Sequence, residues 1–191
     1  MAPFNALHLE GRDIEPVQAH HSEWSLDLLI DYIVVKHHAY SVKTLPHLVD
    51  LAVKVADLHG LKHPEFIKLR HLVASANHEV LLHQEKEEQV LFPLIKQIVQ
   101  IELEGGPLVS HPASCIKDPI DRMDIEHGLV HELFEDIEAL TNKFELPKDA
   151  DDSIQVLYTL LETYIANFKK HHHLEHDILF PRALALESKF L

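Results

Sequence analysis

The amino-acid sequence predicts an all-α fold, an antiparallel four-helix bundle with a broken first helix. Three observations predict it. Apolar residues recur three and four positions apart through four long stretches. No segment alternates apolar and polar residues long enough to read as a strand. Only five glycines occur in 191 residues, little turn-forming material for an all-β chain. Hydrophobic residues make up 46%, a globular value, and this length supports one domain with a sizeable core.

Residues 1–24 show no clear period, contain Gly11 and Pro16, and read as an irregular N-terminal arm; the bundle domain spans 25–191. The first helix starts after Ser25, a residue that can cap, and carries Leu28, Leu29, Tyr32, Ile33 and Val35 to about Tyr40. Thr44-Leu45-Pro46 is expected to break or kink it, because an interior proline removes a backbone donor. A second stretch, Leu48 to Leu58, stops at His59-Gly60. Pro64 opens the second helix, which runs through Phe66, Leu69, Val73 and Val80 and is expected to bend or end at Pro93. Gly105 to Pro119 forms the loop between halves. The third helix covers about 120–144 and the fourth about 153–180, separated by a turn rich in capping residues, Pro147 to Ser153.

The chain carries one motif twice. His83-Gln-Glu-Lys-Glu87 is followed by Leu91-Phe92-Pro93, and 88 residues later His171-His-His-Leu-Glu175 is followed by Leu179-Phe180-Pro181. A His and a Glu four residues apart point from one helix face. Imidazole and carboxylate together suit iron, manganese or zinc. A lone pair of this kind carries little weight; two in register suggest a duplicated half-site. If the halves are duplicates, the first and third helices should match too. They offer His38 and His127, 89 residues apart. The expected metal set is therefore His38, His83, Glu87, His127, His171 and Glu175. Four imidazoles and two carboxylates suit two metals, each with two terminal histidines, bridged by Glu87 and Glu175. A water-derived oxo or hydroxo bridge would leave each metal about five-coordinate, open to a small diatomic.

Several residues compete for these roles. His37 lies about 100° round the helix from His38. His131 shares the face of His127 and is an alternative extra ligand, but its repeat counterpart is Val42. His172, His173 and His176 read as solvated or as neighbours of the ligands, and Glu85 and Glu88 as a solvated face. His59 lies 21 residues after His38, roughly 31 Å along one helix or about 20 Å if the helix breaks, too far to ligate. His78-Glu79 with His83 is one residue too long for a zinc-protease motif. A bundle that holds no metal would bury two carboxylates uncompensated, at high cost.

The formal net charge of −14 argues against nucleic acid and anionic membrane surfaces as partners. Cys115 is the only cysteine, so no internal disulfide forms, which fits a reducing compartment. No signal peptide and no membrane span are read from the sequence, and a cytoplasmic location is expected.

The segments Asp31 to Tyr40, Leu45-Pro46, Lys54-Val55 with His59, His83 to Pro93, Glu126-His127 and His171 to Leu184 resemble the hemerythrin-like (HHE cation-binding) superfamily, most closely its di-iron proteins for repair of iron centres. The resemblance covers about residues 28–186. It implies a hemerythrin-like bundle holding two iron ions with an oxygen bridge. It also implies a role under nitric oxide or peroxide stress: returning iron to damaged iron–sulfur clusters, reducing nitric oxide, or both. Implied partners are nitric oxide or oxygen, iron–sulfur proteins and a reductant. By position, the family's ligands fall on the six residues above, and His59 matches a further family histidine. Family members often carry a cysteine-bearing N-terminal domain; residues 1–24 hold no cysteine. The last helix departs from the oxygen carriers: their fifth-position Asp is replaced by His176, and Glu175 is the better ligand. The ferritin-type Glu-x-x-His is absent. An alternative reading is a reversible oxygen or nitric oxide binding protein or sensor of the hemerythrin type. Both readings use the same centre, and the surroundings of its open position decide between turnover and binding.

Overall fold

The computed structural model describes residues 20–105 and 116–190. The expectations that fall on residues 1–19 of the arm, and on residues 106–115 of the inter-half loop with Cys115, lie outside the described residues; the end of that expected loop, from Lys117, is already helical. Among the described residues, four long helical rods form the bundle. The first is α1 (Leu26–Ile33), a π-helical turn (Val34–His38) and α2 (Ala39–His59). The second is α3 (Glu65–Lys86), a π-helical turn (Glu87–Leu91) and α4 (Phe92–Glu104). The third is α5 (Lys117–Leu140). The fourth is α6 (Asp152–His173), a π-helical turn (Leu174–Leu179) and α7 (Phe180–Glu187). No strand occurs among the described residues, so the all-α bundle is the observed fold.

The first rod departs from expectation at one point. The helix runs unbroken through Pro46, and its irregularity lies earlier, at Val34–His38. Pro46 is exposed while Leu45 and Leu48 beside it are buried. The carbonyl that loses its backbone donor therefore faces water, and apolar packing holds the helix straight. Pro93 and Pro181 likewise end nothing. Each falls in the first turn after a π-helical turn, where the hydrogen-bond ladder is already offset.

The termini of the rods have identifiable stops. Asp151 caps α6, its Oδ1 accepting from the backbone N–H groups of Ser153 (3.0 Å) and Ile154 (3.2 Å). Gly105 ends α4 in the left-handed region, at φ 64°. Gly60 follows α2 with helical backbone, and is needed for space: a Cβ there would meet the Ala56 carbonyl oxygen at 2.4 Å. The start of α5 is closed from outside by the buried Glu187, whose Oε1 accepts from Ile116 N at 2.9 Å.

The apolar side chains form two separate cores. One, toward the α2–α3 turn, unites Leu48, Val55, Phe66, Val73, Phe134, Leu157 and Phe168 among others. The second, at the opposite end, gathers Leu29, Ile33, Phe92, Ile95, Met123, Leu179 and Phe180. Between them lies a belt of buried polar residues: His37, His38, Ser41, His83, Gln84, Glu87, His127, His171 and Glu175. In a bundle this is where a cofactor is built. Among the described residues, no helix is long and apolar enough to cross a membrane.

Candidate metal centre

Each rod sends side chains into the belt: His38 from the first, His83 and Glu87 from the second, His127 from the third, His171 and Glu175 from the fourth. All six are buried, and both carboxylates are fully so. The i, i+4 spacing carries each Glu back to its own His. His83 Nε2 lies 3.3 Å from Glu87 Oε1, and His171 Nε2 lies 2.7 Å from Glu175 Oε1.

The six groups sort into two clusters that share both carboxylates. His38 and His171 face each other, Nε2 to Nε2, at 3.2 Å; His83 and His127 do so at 2.9 Å. Glu87 turns Oε2 toward His38 (3.5 Å) and Oε1 toward His83. Glu175 turns Oε1 toward His171 and His38 (3.8 Å), and Oε2 toward His127 (3.3 Å). In each cluster the four ligand atoms lie within 4.8 Å of one another. Around an ion about 2.0–2.2 Å from each ligand, neighbouring ligand atoms stand roughly 3.0–3.5 Å apart. The spacing therefore fits two ions with both carboxylates spanning them. All four carboxylate oxygens are buried without a hydrogen-bond partner, a costly arrangement that a cation relieves.

The rings are held from behind. His38 Nδ1 donates to Glu88 Oε1 at 2.7 Å, and His83 Nδ1 to Glu126 Oε2 at 3.1 Å, which leaves each Nε2 lone pair facing inward. Lys86 Nζ in turn donates to Glu126 Oε1 at 2.6 Å. The duplicated Leu-Phe-Pro supplies the packing. Phe92 stacks on His38 (centroids 5.7 Å, 19° between planes) and Phe180 on His127 (6.3 Å, 19°). Leu91 and Leu179 are buried beside them.

The buried carboxylates favour protonation of His38 and His83. Burial opposes protonation of His83, but the Glu87 carboxylate outweighs it and raises the pKa to about 9. His38 is also raised: burial opposes it, and the nearby Glu175 and Glu87 carboxylates, at 3.8 and 3.5 Å, outweigh it. Burial would raise Glu175, yet His171, His127 and His38 hold it well below the usual carboxylate value. His37 and His172 are pushed down to about 4, first by burial and then by neighbouring imidazoles. Loading a cation displaces protons from such a site.

The competing residues fall as follows. His37 is buried but bonds Asn167 Oδ1 through Nδ1 (3.1 Å) and stacks on His171. His131 stays outside the clusters and pairs with His172 at 3.0 Å. His173 is exposed and paired with Asp177; His176 pairs with Asp124 at 3.0 Å. His59 sits at the far end of α2 with Asp151 Oδ2 at 3.1 Å. Glu88 does not belong to a merely solvated face, since it holds His38. Sequence reasoning gave Glu126 no role either. The signal was available: each lies one residue from a motif position, on a face that the adjacent helix approaches.

The family model of the hemerythrin HHE cation-binding domain matches residues 29–183. The chain is 33% identical over 183 residues to an iron-sulfur cluster repair protein YtfE of Yersinia pseudotuberculosis serotype IB (strain PB1/+), covering 96% of this chain and 75% of that protein. Proteins of the same name from Escherichia coli O157:H7 and Enterobacter sp. (strain 638) are each 32% identical over 173 residues, covering 91% of this chain and 73% of theirs.

Proposed function

Because the chain belongs to the hemerythrin HHE cation-binding family, we propose that it is a non-haem di-iron protein that repairs iron–sulfur clusters damaged by nitric oxide or oxidative stress. One observation carries this reading: Glu87 and Glu175 each present one oxygen to each of two histidine pairs. A single-ion site has no use for two shared carboxylates. The similarity to iron-sulfur cluster repair proteins supports the direction of the chemistry.

His38 and His171 would hold one iron, His83 and His127 the other, with Glu87 and Glu175 across both. When bound, the iron pair supplies a redox-active position for nitric oxide or oxygen and a store of iron for a damaged cluster. The residues around it do the rest. Glu88 and Glu126 fix two rings in the tautomer that presents Nε2. Phe92 and Phe180 cover one side of the belt, and the core beginning at Phe168 closes the other. Iron–sulfur proteins, a reductant and a cytoplasmic setting go with this reading.

The test uses purified iron-loaded protein. Iron analysis is expected to give about two irons per chain. Incubation with an enzyme whose [4Fe–4S] cluster has been damaged is expected to restore its activity, or the reduced protein is expected to consume nitric oxide. Iron held without cluster recovery and without nitric oxide consumption would overturn the proposal.

A further inference from the structure

The two halves of the molecule differ on their outer seams. Where the first and second rods meet beside His38, a groove is lined by Val42, Gln84 and Glu88. The repeat carries those positions onto His131, His172 and His176 of the third and fourth rods. All three are histidines in one half and none is in the other. Glu88 holds the Nδ1 of His38; its counterpart His176 turns to Asp124 instead, and the buried Nδ1 of His127 has no partner.

These histidines form a file from the surface to the centre. His131 Nε2 lies 3.0 Å from His172 Nδ1. The His172 ring stands edge-on to His127 at 4.4 Å and tilted against His176 at 5.2 Å. The 3.0 Å spacing matches the nitrogen pairs inside the centre, at 3.2 and 2.9 Å. An ion about 2.1 Å from both nitrogens would see them at roughly 90°. Glu135, one turn after His131, repeats the His-x-x-x-Glu spacing and puts an exposed carboxylate on the same helix face. Nothing in the fold demands the file, because the matching seam packs with valine, glutamine and glutamate.

We propose that His131 and His172 form a third divalent-cation site, outside the centre and one imidazole away from it. Water would complete its coordination, with the exposed Glu135 one turn away on the same helix face. Its role as a waypoint for iron entering or leaving rests on the di-iron reading above; the site itself does not.

Equilibrium dialysis of iron-loaded protein against Co²⁺ tests the site. Wild type is expected to bind one more Co²⁺ per chain than His131→Ala/His172→Ala. Each single variant should weaken that ion tenfold or more, and His173→Ala should leave it unchanged. Iron content stays the same in all. Rapid mixing of metal-free protein with Fe²⁺ tests the waypoint: the double variant is expected to load several-fold more slowly to the same final occupancy. Equal Co²⁺ uptake by wild type and double variant would overturn the site, and equal loading rates would overturn the waypoint. If the alanine variants fail to fold, as judged by circular dichroism, His131→Gln/His172→Gln carries the same expectations. A wild type that holds no iron pair yet loses one Co²⁺ in the double variant would sink the centre and leave the outer site standing.

Discussion

Glu88 accepts a hydrogen bond from the Nδ1 of His38 across the seam between the first and second rods, at 2.7 Å. The bond fixes which nitrogen faces the belt. Removing such an outer partner weakens a metal site by about 10–100-fold. Glu88→Ala is therefore expected to lower iron affinity by that factor. Glu88→Gln, which keeps an acceptor, should lose less. Competition with a chelator of known affinity measures both; unchanged affinity in Glu88→Ala would show the bond to be idle.

Glu87 and Glu175 are expected to matter to both ions at once, because each faces both histidine pairs. Glu87→Ala or Glu175→Ala should drop iron below one per chain rather than from two to one. Chelating the wild type should lower its melting temperature, since the assembled ligand set exists only in the folded state. The same chelator should barely shift either variant. Calorimetry with parallel iron analysis gives both numbers.

Pro46→Ala restores a backbone donor in the middle of α2. Proline costs about 3 kcal/mol against alanine in a helix interior, and part of that is offset by the stiffer unfolded chain. A gain of about 1–3 kcal/mol by denaturant unfolding is expected, with iron content unchanged. A loss of stability would mean that Pro46 shapes the rod after all.

Four of the six candidate residues were legible because the chain states His-x-x-x-Glu twice, 88 residues apart, and that repetition survives any error in helix boundaries; His38 and His127, 89 apart, follow from matching the remaining two helices. The rod lengths were not legible. Proline reads as a stop, yet Pro46 points to water and Pro93 and Pro181 follow π-helical turns. Helical spacing also missed Glu88 and Glu126. Each looks solvated on its own helix, and only the approach of the adjacent rod gives it a partner. The match to His127 favours His38 over His37; both are buried, and His37 bonds Asn167 on the fourth rod while His38 faces His171 and Glu87.

Asp151 caps α6 and faces His59. Its bond with Ser153, then the α6 backbone N–H of Ile154, holds its carboxyl below the ordinary value of 3.8. A depressed folded-state pKa contributes stability above the unfolded value, and that contribution fades as pH falls through the folded one. Asp151→Ala is thus expected to melt below wild type at pH 7, with the gap closing as pH drops beneath about 4. Thermal scans of both proteins from pH 7 to pH 3 check it. A gap that persists undiminished at pH 3 would assign the effect to something other than the charged cap.

The two apolar cores stand on either side of the polar belt, touching it through Phe92, Phe168 and Phe180 and packing otherwise on side chains of their own ends. Emptying the waist of the bundle thus leaves both ends clamped. On the di-iron reading proposed above, a chain built this way is expected to give up its metal, soften in the middle, and stay intact enough to be refilled.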